Sequence, residues 1–468
     1  MNEIIQHVEA YLEKVFTTHA YNITDLDATA SALKKDSDEL SRHILEALIK
    51  YVNESFRQDK STRKELGLVL KEKERPRCIL TELGEISFNR DYYYNKNTEN
   101  HETPLDVMLS IDPRTRVGAE IGARLVSKAA YESYARSSLE VTEGLVSRQT
   151  VKNQIMKAPN LEKAPEKRKS CKTLDLYADE DHVHMQKPEK EKGKKNKMVP
   201  LVTVTEGTVK IGKSRNATIN PVHFVDEQMN TKGLWASVEG YIEKAYDLEV
   251  LEEIRLHSDG GKWIKNGLEN FPNVVRAMDK WHLERNLKDI ARLFPKQQVR
   301  SRIKDALASD KRDVAEAILG SLVKDCEKRK DLEELKEFQT YLLSNWEACV
   351  NAYKEDMGGS CTEGLVSHIL SERFSRNPMG WSEEGLGKLS ILRVYLENGG
   401  KIKAEHFKAS YENDERHKEY AKRCLAEHLG NYDFSWMSDF RETYVFDTAS
   451  GTQQAIKKIG RLNNNLVS

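Results

Sequence analysis

The sequence predicts a mixed α/β protein with a sheet at its centre and helical regions on either side. Two observations carry this expectation. β-type runs follow one another closely from residue 174 to about 227, after which helical and strand patterns alternate to about 285. Elsewhere apolar residues recur at helical spacing among many charges. With 468 residues the chain is also too long for one ordinary core, so several domains are expected.

Charged residues make up 32% of the chain and hydrophobic ones 38%, with a mean hydropathy of −0.67, which describes a surface-rich protein. The 74 basic and 75 acidic residues nearly cancel, so no global field draws the chain to a polyanion. Contact with nucleic acid must then come from local patches. Cys78, Cys171, Cys326, Cys349, Cys361 and Cys424 are scattered without a CxxC pair. That argues against a disulfide framework or zinc cluster and for a reducing cytoplasm. No apolar run approaches the length of a membrane span.

Residues 1–75 are expected to be a helical N-terminal region, with Leu45, Leu48, Ile49 and Val52 on one face. Residues 76–112 hold a β-hairpin segment turning at Leu83, Gly84 and Glu85, with Tyr92, Tyr93 and Tyr94 on a packed face. Residues 113–158 fit a helix-turn-helix, in which a glycine-containing turn leads to a second helix opened at Ser147 or Arg148. That helix offers Arg148, Gln149, Lys152 and Asn153 on its polar side, residue types that contact base edges and phosphates. Residues 159–173 form a proline-containing basic linker.

The next stretch, LDLYADEDHVHMQ at 174–186, is a strand that carries Asp179, Glu180 and Asp181 where strands normally exclude acid. Period-2 geometry puts Asp179 and Asp181 on one face and Glu180 with His182 on the other. A lysine-rich hairpin loop containing Lys194 and Lys195 follows, and beside an acidic centre such a loop can hold a phosphate backbone. Two further β-type runs complete an antiparallel meander. An amphipathic helix and a strand ending at Asp259, Gly260 and Gly261 come next, then a short apolar run and a helix opened at Asp279. The order β-β-β-α-β-α-β-α over 174–285 is that of the RNase H-like fold. Residues 286–356 are purely helical and charged, as an all-helical insertion would be. Gly358 and Gly359 end it, and residues 357–400 return a helix carrying Glu363 in its first turn. Residues 401–468 form a C-terminal region with a polar end.

Acids at the ends of two central strands, with a third on a later helix, are what two-metal phosphoryl transfer requires. Asp179, Asp259 and Glu363 fit these roles, and Asp181 shares the face of Asp179 as an alternative ligand. His282, three residues after Asp279, shares its helical face. Arg373, Arg376 and Trp381, close to Glu363, offer phosphate-binding cations and a stacking ring.

Four motifs then resemble one family: ADEDHVHMQ at 178–186, HSDGGKWIKNG at 257–267, MDKWHLERNL at 278–287 and TEGLVSHILSERFSRNPMGWSEEG at 362–385. The sequence is similar to bacterial insertion-sequence transposases of the DDE class, in the Lre-type branch of the Mutator-like group. The resemblance implies that Asp179, Asp259 and Glu363 are the catalytic acids holding two Mg²⁺ or Mn²⁺ ions. It also implies that Asp279 and His282 form the C/DxxH signature, and that the helical stretch is inserted in an RNase H-like core. One departure is that an aspartate followed by glycine on the first strand becomes Asp179, Glu180, Asp181 here. Implied partners are double-stranded DNA, both the element's terminal inverted repeats and its target, and further copies of the chain on DNA. A nucleoid-associated place in a bacterial cytoplasm follows. An RNase H-like nuclease without strand transfer, or an inactive DNA-binding derivative, is the alternative.

Overall fold

A computed structural model describes residues 2–19, 23–165, 168–187, 193, 195–212, 216–265, 267–269, 271, 273–354, 357, 361–377, 379–408 and 414–430. The chain divides into two compact units, residues 1–118 with 408–468, and residues 119–407.

In the first unit the long helix Leu26–Gln58 starts where Asp25 Oδ1 accepts from Ala28 N at 3.0 Å. It buries Ile49, Val52 and Phe56 against a hairpin of β1 (Leu68–Thr81) and β2 (Gly84–Asn95), which β3 (Asn100–Glu102) extends. The two-residue turn closes at Gly84, whose φ of +93° suits glycine. β1 begins at Leu68, paired with Asn95, so residues 68–75 are strand rather than part of the helical region expected through residue 75. Their charges lie on the strand's exposed stretch, a pattern that imitates a polar helix. Tyr93 is buried against Phe56 at 5.7 Å between ring centroids, which places it on the packed face. The helix Asp414–Gly430 also belongs to this unit: Tyr420 meets Phe56 edge-on at 5.2 Å. Sequence alone had set this segment apart because its partners lie more than 350 residues earlier. Residues 431–468 lie outside the described residues.

The second unit opens with three helices, Ala119–Ala129, Tyr134–Thr142 and Arg148–Lys157. Glu143 and Gly144, with φ of +52° and +83°, turn the chain between the last two. Ser147 Oγ accepts from Thr150 N at 3.1 Å and caps the third. A five-stranded sheet follows, in the order β10 (Val274–Met278), β9 (Glu253–Ser258), β4 (Thr173–His184), β5 (Asn196–Thr205), β8 (Val222–Phe224). β4, β5 and β8 are antiparallel neighbours, whereas β4, β9 and β10 run parallel. The run expected as a single second strand breaks at Gly207, φ +119°, and β6 (Thr208–Lys210) pairs with β7 (Asn216–Thr218) as a separate ribbon.

Leu174, Leu176 and Ala178 of β4 face the helix Thr231–Ala245 and share a core with Leu234, Val238 and Ile242. Beyond β10, the helices Lys280–Leu293, Val299–Ala308, Arg312–Asp325, Arg329–Ser344 and Trp346–Asn351 close around a second core that includes Leu287, Ile303, Leu319, Leu335 and Leu342. No described helix is long and apolar enough to cross a membrane.

Candidate functional site

The parallel register brings the acids together. Ala178 of β4 and Met278 of β10 both pair with Ser258 of β9. Asp179, Asp259 and Asp279 are each the next residue, so three aspartates leave the paired ends of adjacent parallel strands side by side. The carboxyl ends of parallel strands at a change of strand direction are where open α/β sheets place ligands.

Asp179 is 7% exposed, and burial pushes its carboxyl up to about 7, with the neighbouring Asp259 charge acting in the same direction. A hydrogen bond of 2.8 Å from Glu180 N opposes that rise without cancelling it. Asp259 is half-buried, and its Oδ1 accepts from Gly261 N at 2.9 Å, which folds the loop around the carboxylate. Glu363 occupies the first turn of the helix Thr362–Val366, exposed and directed back to the strand ends, and a π-turn at Ser367–Ser371 follows it. Such single π-turns recur at functional sites. Gly358 and Gly359, which precede this helix, lie outside the described residues.

Two donor sets result: Asp179, His282 and Glu363 form one, and Asp179, Glu180 and Asp259 form the other. Within each set the ligand atoms lie within 4.8 Å of one another. Asp179 belongs to both. Four carboxylates and one imidazole suit a hard divalent cation better than a soft one, and a cation is also what would hold the buried Asp179 in its ionised form. The described residues therefore fit a divalent metal.

Asp279 belongs to neither set. It is 1% exposed and caps the helix Lys280–Leu293, its Oδ1 accepting from Trp281 N at 2.9 Å and His282 N at 3.1 Å. The same oxygen stands 3.4 Å from His282 Nδ1, and this carboxylate raises the imidazole above its ordinary value. Asp279 thus orients His282 and favours its charged form.

Asp181 is half-buried and also lies outside both sets. Two residues along a strand is about 6–7 Å, which carries it past the cluster although it shares the face of Asp179. Glu180 is the residue that sequence reasoning missed. Alternation put it on the opposite face, but β4 has lost its β9 neighbour beyond Ala178, and both carboxylates reach the same space.

Of the candidate DNA contacts, Arg148, Gln149 and Asn153 are exposed and Lys152 half-buried, with Gln149 Nε2 donating to Asn153 Oδ1 at 2.9 Å. Lys195 and Arg376 are exposed, Arg376 pairing with Glu372 at 3.2 Å. Lys194 lies outside the described residues. Two expectations need correction. Trp381 is 6% exposed and donates its indole N–H to Phe374 O at 3.0 Å, so its ring is not an open stacking platform. Arg373 is 2% exposed and donates through Nε to Ala129 O at 2.9 Å, so it is not a surface cation. His368, Glu372 and Arg376 form the exposed side of this segment and Arg373 lies off it, and a run so rich in polar residues does not mark which arginine turns inward.

The geometry defines a mixed α/β protein with a cluster of carboxylates and one imidazole at the ends of its parallel strands. The chain belongs to the uncharacterised protein family UPF0236, which it matches over residues 16–410. A UPF0236 protein of Caldanaerobacter subterraneus subsp. tengcongensis is 32% identical over 385 residues, covering 82% of this chain and 79% of its own, and its name joins eleven loci of that genome. A UPF0236 protein from the vanSb 3′ region of Streptococcus gallolyticus is 26% identical over 332 residues, 68% of this chain and 71% of its own. Among solved structures, the Drosophila P element transposase strand transfer complex covers 64% of this chain and 91% of its own at 11% identity. Its TM-score of 0.20 is too low to bear on fold or function.

Proposed function

We propose that this chain is a metal-dependent DNA transposase of the DDE class, built on an RNase H-like core with a helical insertion. The observation that carries the reading is Asp179, a buried carboxylate shared by two donor sets, as a site for two divalent cations needs. The sheet order supports the core, with three antiparallel strands flanked on one side by two parallel ones. The eleven loci joined in one relative's name are what a mobile element leaves in a genome.

Asp179 and Glu363 with His282 would hold one Mg²⁺ or Mn²⁺ ion, and Asp179 and Asp259 with Glu180 the other. When bound, such ions lower the pKa of an attacking water or hydroxyl and stabilise charge on the leaving oxygen. The protein's own part is to place the groups. Asp279 orients His282 beside the carboxylates, where the imidazole in its neutral form would serve as a ligand to the cation. Arg148, Gln149, Lys152 and Asn153 would engage the element's terminal inverted repeats, and Lys195 and Arg376 would contact phosphates. Copies of the chain would assemble on the paired ends. The first reaction hydrolyses a phosphodiester and frees a 3′ hydroxyl, which in the second attacks target DNA.

The test is cleavage and joining of labelled element ends in Mg²⁺ by the full chain. The wild type should cut and join, whereas Asp259→Asn and Glu363→Gln should lose at least about a thousandfold in both steps while still binding DNA. Retained activity in either variant would refute the site. Cleavage without joining would leave a nuclease on the same core.

A further inference from the structure

The second unit contains a cavity of about 380 Å³ outside the carboxylate cluster, between the helix-turn-helix and the segment that follows the Glu363 helix. Arg148, Lys152 and Arg373 line it together with Ser133, Ser382 and Trp381. Three cations face this space, and none of the described residues lining it is acidic.

Arg373 is the informative member. It is 98% buried, and its charge is used only in part: Nε donates to Ala129 O at 2.9 Å, and the guanidinium stacks on Trp381 with its central carbon 4.7 Å from the ring centroid. Nη1 is buried and has no hydrogen-bond partner among the described residues. Burial pulls Arg373 down to about 10, and the charged or titratable groups that act on it are Tyr134 and Arg393, not a carboxylate. A buried guanidinium without a counter-charge is strongly unfavourable unless something anionic completes it. The surroundings are built to hold a guest. Trp381 N donates to His184 O at 3.1 Å, and Gln186 N to Trp381 O at 2.9 Å, which fixes the wall to the end of β4. A Cβ on Gly380 would meet Gln186 Cα at 2.9 Å, so that wall sits as close to the strand as glycine permits.

We infer that this cavity binds a phosphate group, held by the guanidinium of Arg373 together with Arg148 and Lys152, and that the phosphate is one of the DNA backbone. Guanidinium and phosphate match in charge and in fork geometry. Arg148 and Lys152 stand on the helix expected to read DNA, so one phosphate here would link DNA recognition to the segment carrying the catalytic glutamate. The phosphate site stands on the cavity itself; its source in DNA rests on the proposed function.

Inorganic phosphate is the first probe. At matched ionic strength, replacing chloride by phosphate should raise the melting temperature of the full chain saturably and change its tryptophan fluorescence through Trp381. Arg373→Met and the double variant Arg148→Ala/Lys152→Ala should lose both responses. Should Arg373→Met fail to fold, the double variant decides, because both of its positions lie on a helix surface. The second probe is a labelled duplex carrying the element end. The double variant should bind it roughly tenfold more weakly, with a salt slope shallower by about 1. No phosphate response in the wild type overturns the site, whether or not that protein cuts DNA. A phosphate response with unchanged DNA affinity and salt slope in the double variant overturns the DNA source. A wild type that responds to phosphate but does not cleave DNA in Mg²⁺ refutes the transposase reading and leaves the phosphate site standing.

Discussion

Trp263 Nε1 donates to Glu180 Oε2 at 2.7 Å, joining the short helix Lys262–Lys265 after β9 to the acid next to Asp179. Trp263 is half-buried against Trp235, 6.1 Å between ring centroids, and Trp235 Nε1 donates in turn to Trp263 O at 3.2 Å. This chain of contacts fixes the Glu180 carboxylate where Asp179 and Asp259 can share a cation with it. Partners behind a ligand typically matter by about 10–100-fold in metal affinity. Trp263→Phe keeps the ring and removes the donor, so it should weaken Mn²⁺ binding by about tenfold in calorimetry while changing the metal-free melting temperature little. Unchanged Mn²⁺ affinity would remove Trp263, and with it Glu180, from the metal set.

The buried Asp179 makes metal-free stability depend on pH in a particular direction. Its carboxyl titrates at about 7 in the folded chain, above the ordinary carboxylate value. Between about pH 4 and pH 7 the unfolded chain has released this proton and the folded chain has not, so stability falls as pH rises through that window. Melts in EDTA should show this loss, on the order of a few kcal/mol by pH 7, and Asp179→Asn should flatten it. Adding Mg²⁺ at neutral pH should restore stability and release protons into a weakly buffered solution. A wild-type profile no steeper than that of Asp179→Asn would mean that the carboxyl is ionised before metal arrives.

The sheet was readable because its strands are apolar and punctuated, Asp179 and Asp259 stood out because each sits where an apolar run stops, and Glu363 because it opens a helix after the break at Gly358 and Gly359. Register was the information sequence lacked. Nothing in the chain says that Ala178 and Met278 share Ser258 as a neighbour, and that shared pairing is what sets the aspartates side by side and lets Glu180 in while Asp181 is left out. Arg373 and Trp381 failed for a related reason. Their motif suggested a surface cation and an open ring, but Arg373 donates to Ala129 O and Trp381 to Phe374 O on the inner side, while His368, Glu372 and Arg376 take the exposed side.

The turn between the second and third helices of the three-helix region offers a local test. Gly144 has φ of +83° and open space where a Cβ would be, so Gly144→Ala meets no neighbour and is costly only through its backbone conformation. The expected loss is about 1 kcal/mol in chemical denaturation, with the fold intact by circular dichroism. A loss beyond about 3 kcal/mol would mean that the turn is packed against something.

Arg393 makes the strongest stability prediction in the second unit. It is 3% exposed, and its guanidinium donates to three backbone carbonyls: Nε to Ile369 O, Nη2 to His368 O and Nη1 to Ala130 O. The first two lie in the π-turn just after Glu363, and the third closes the helix Ala119–Ala129. A π-turn leaves carbonyls displaced from ordinary helical partners, and one planar fork satisfies two of them while tying the Glu363 helix to its neighbour. Lysine keeps the charge but not the fork, and it cannot reach three acceptors in this arrangement. Arg393→Lys should therefore cost about 2–4 kcal/mol in urea unfolding, from carbonyls left buried and unpaired. Hydrogen exchange should show the amides of residues 367–371 opening first, since the tie that holds the π-turn is the one removed. Uniform loss of protection across the second unit would instead make Arg393 a general packing residue with no particular hold on the Glu363 helix.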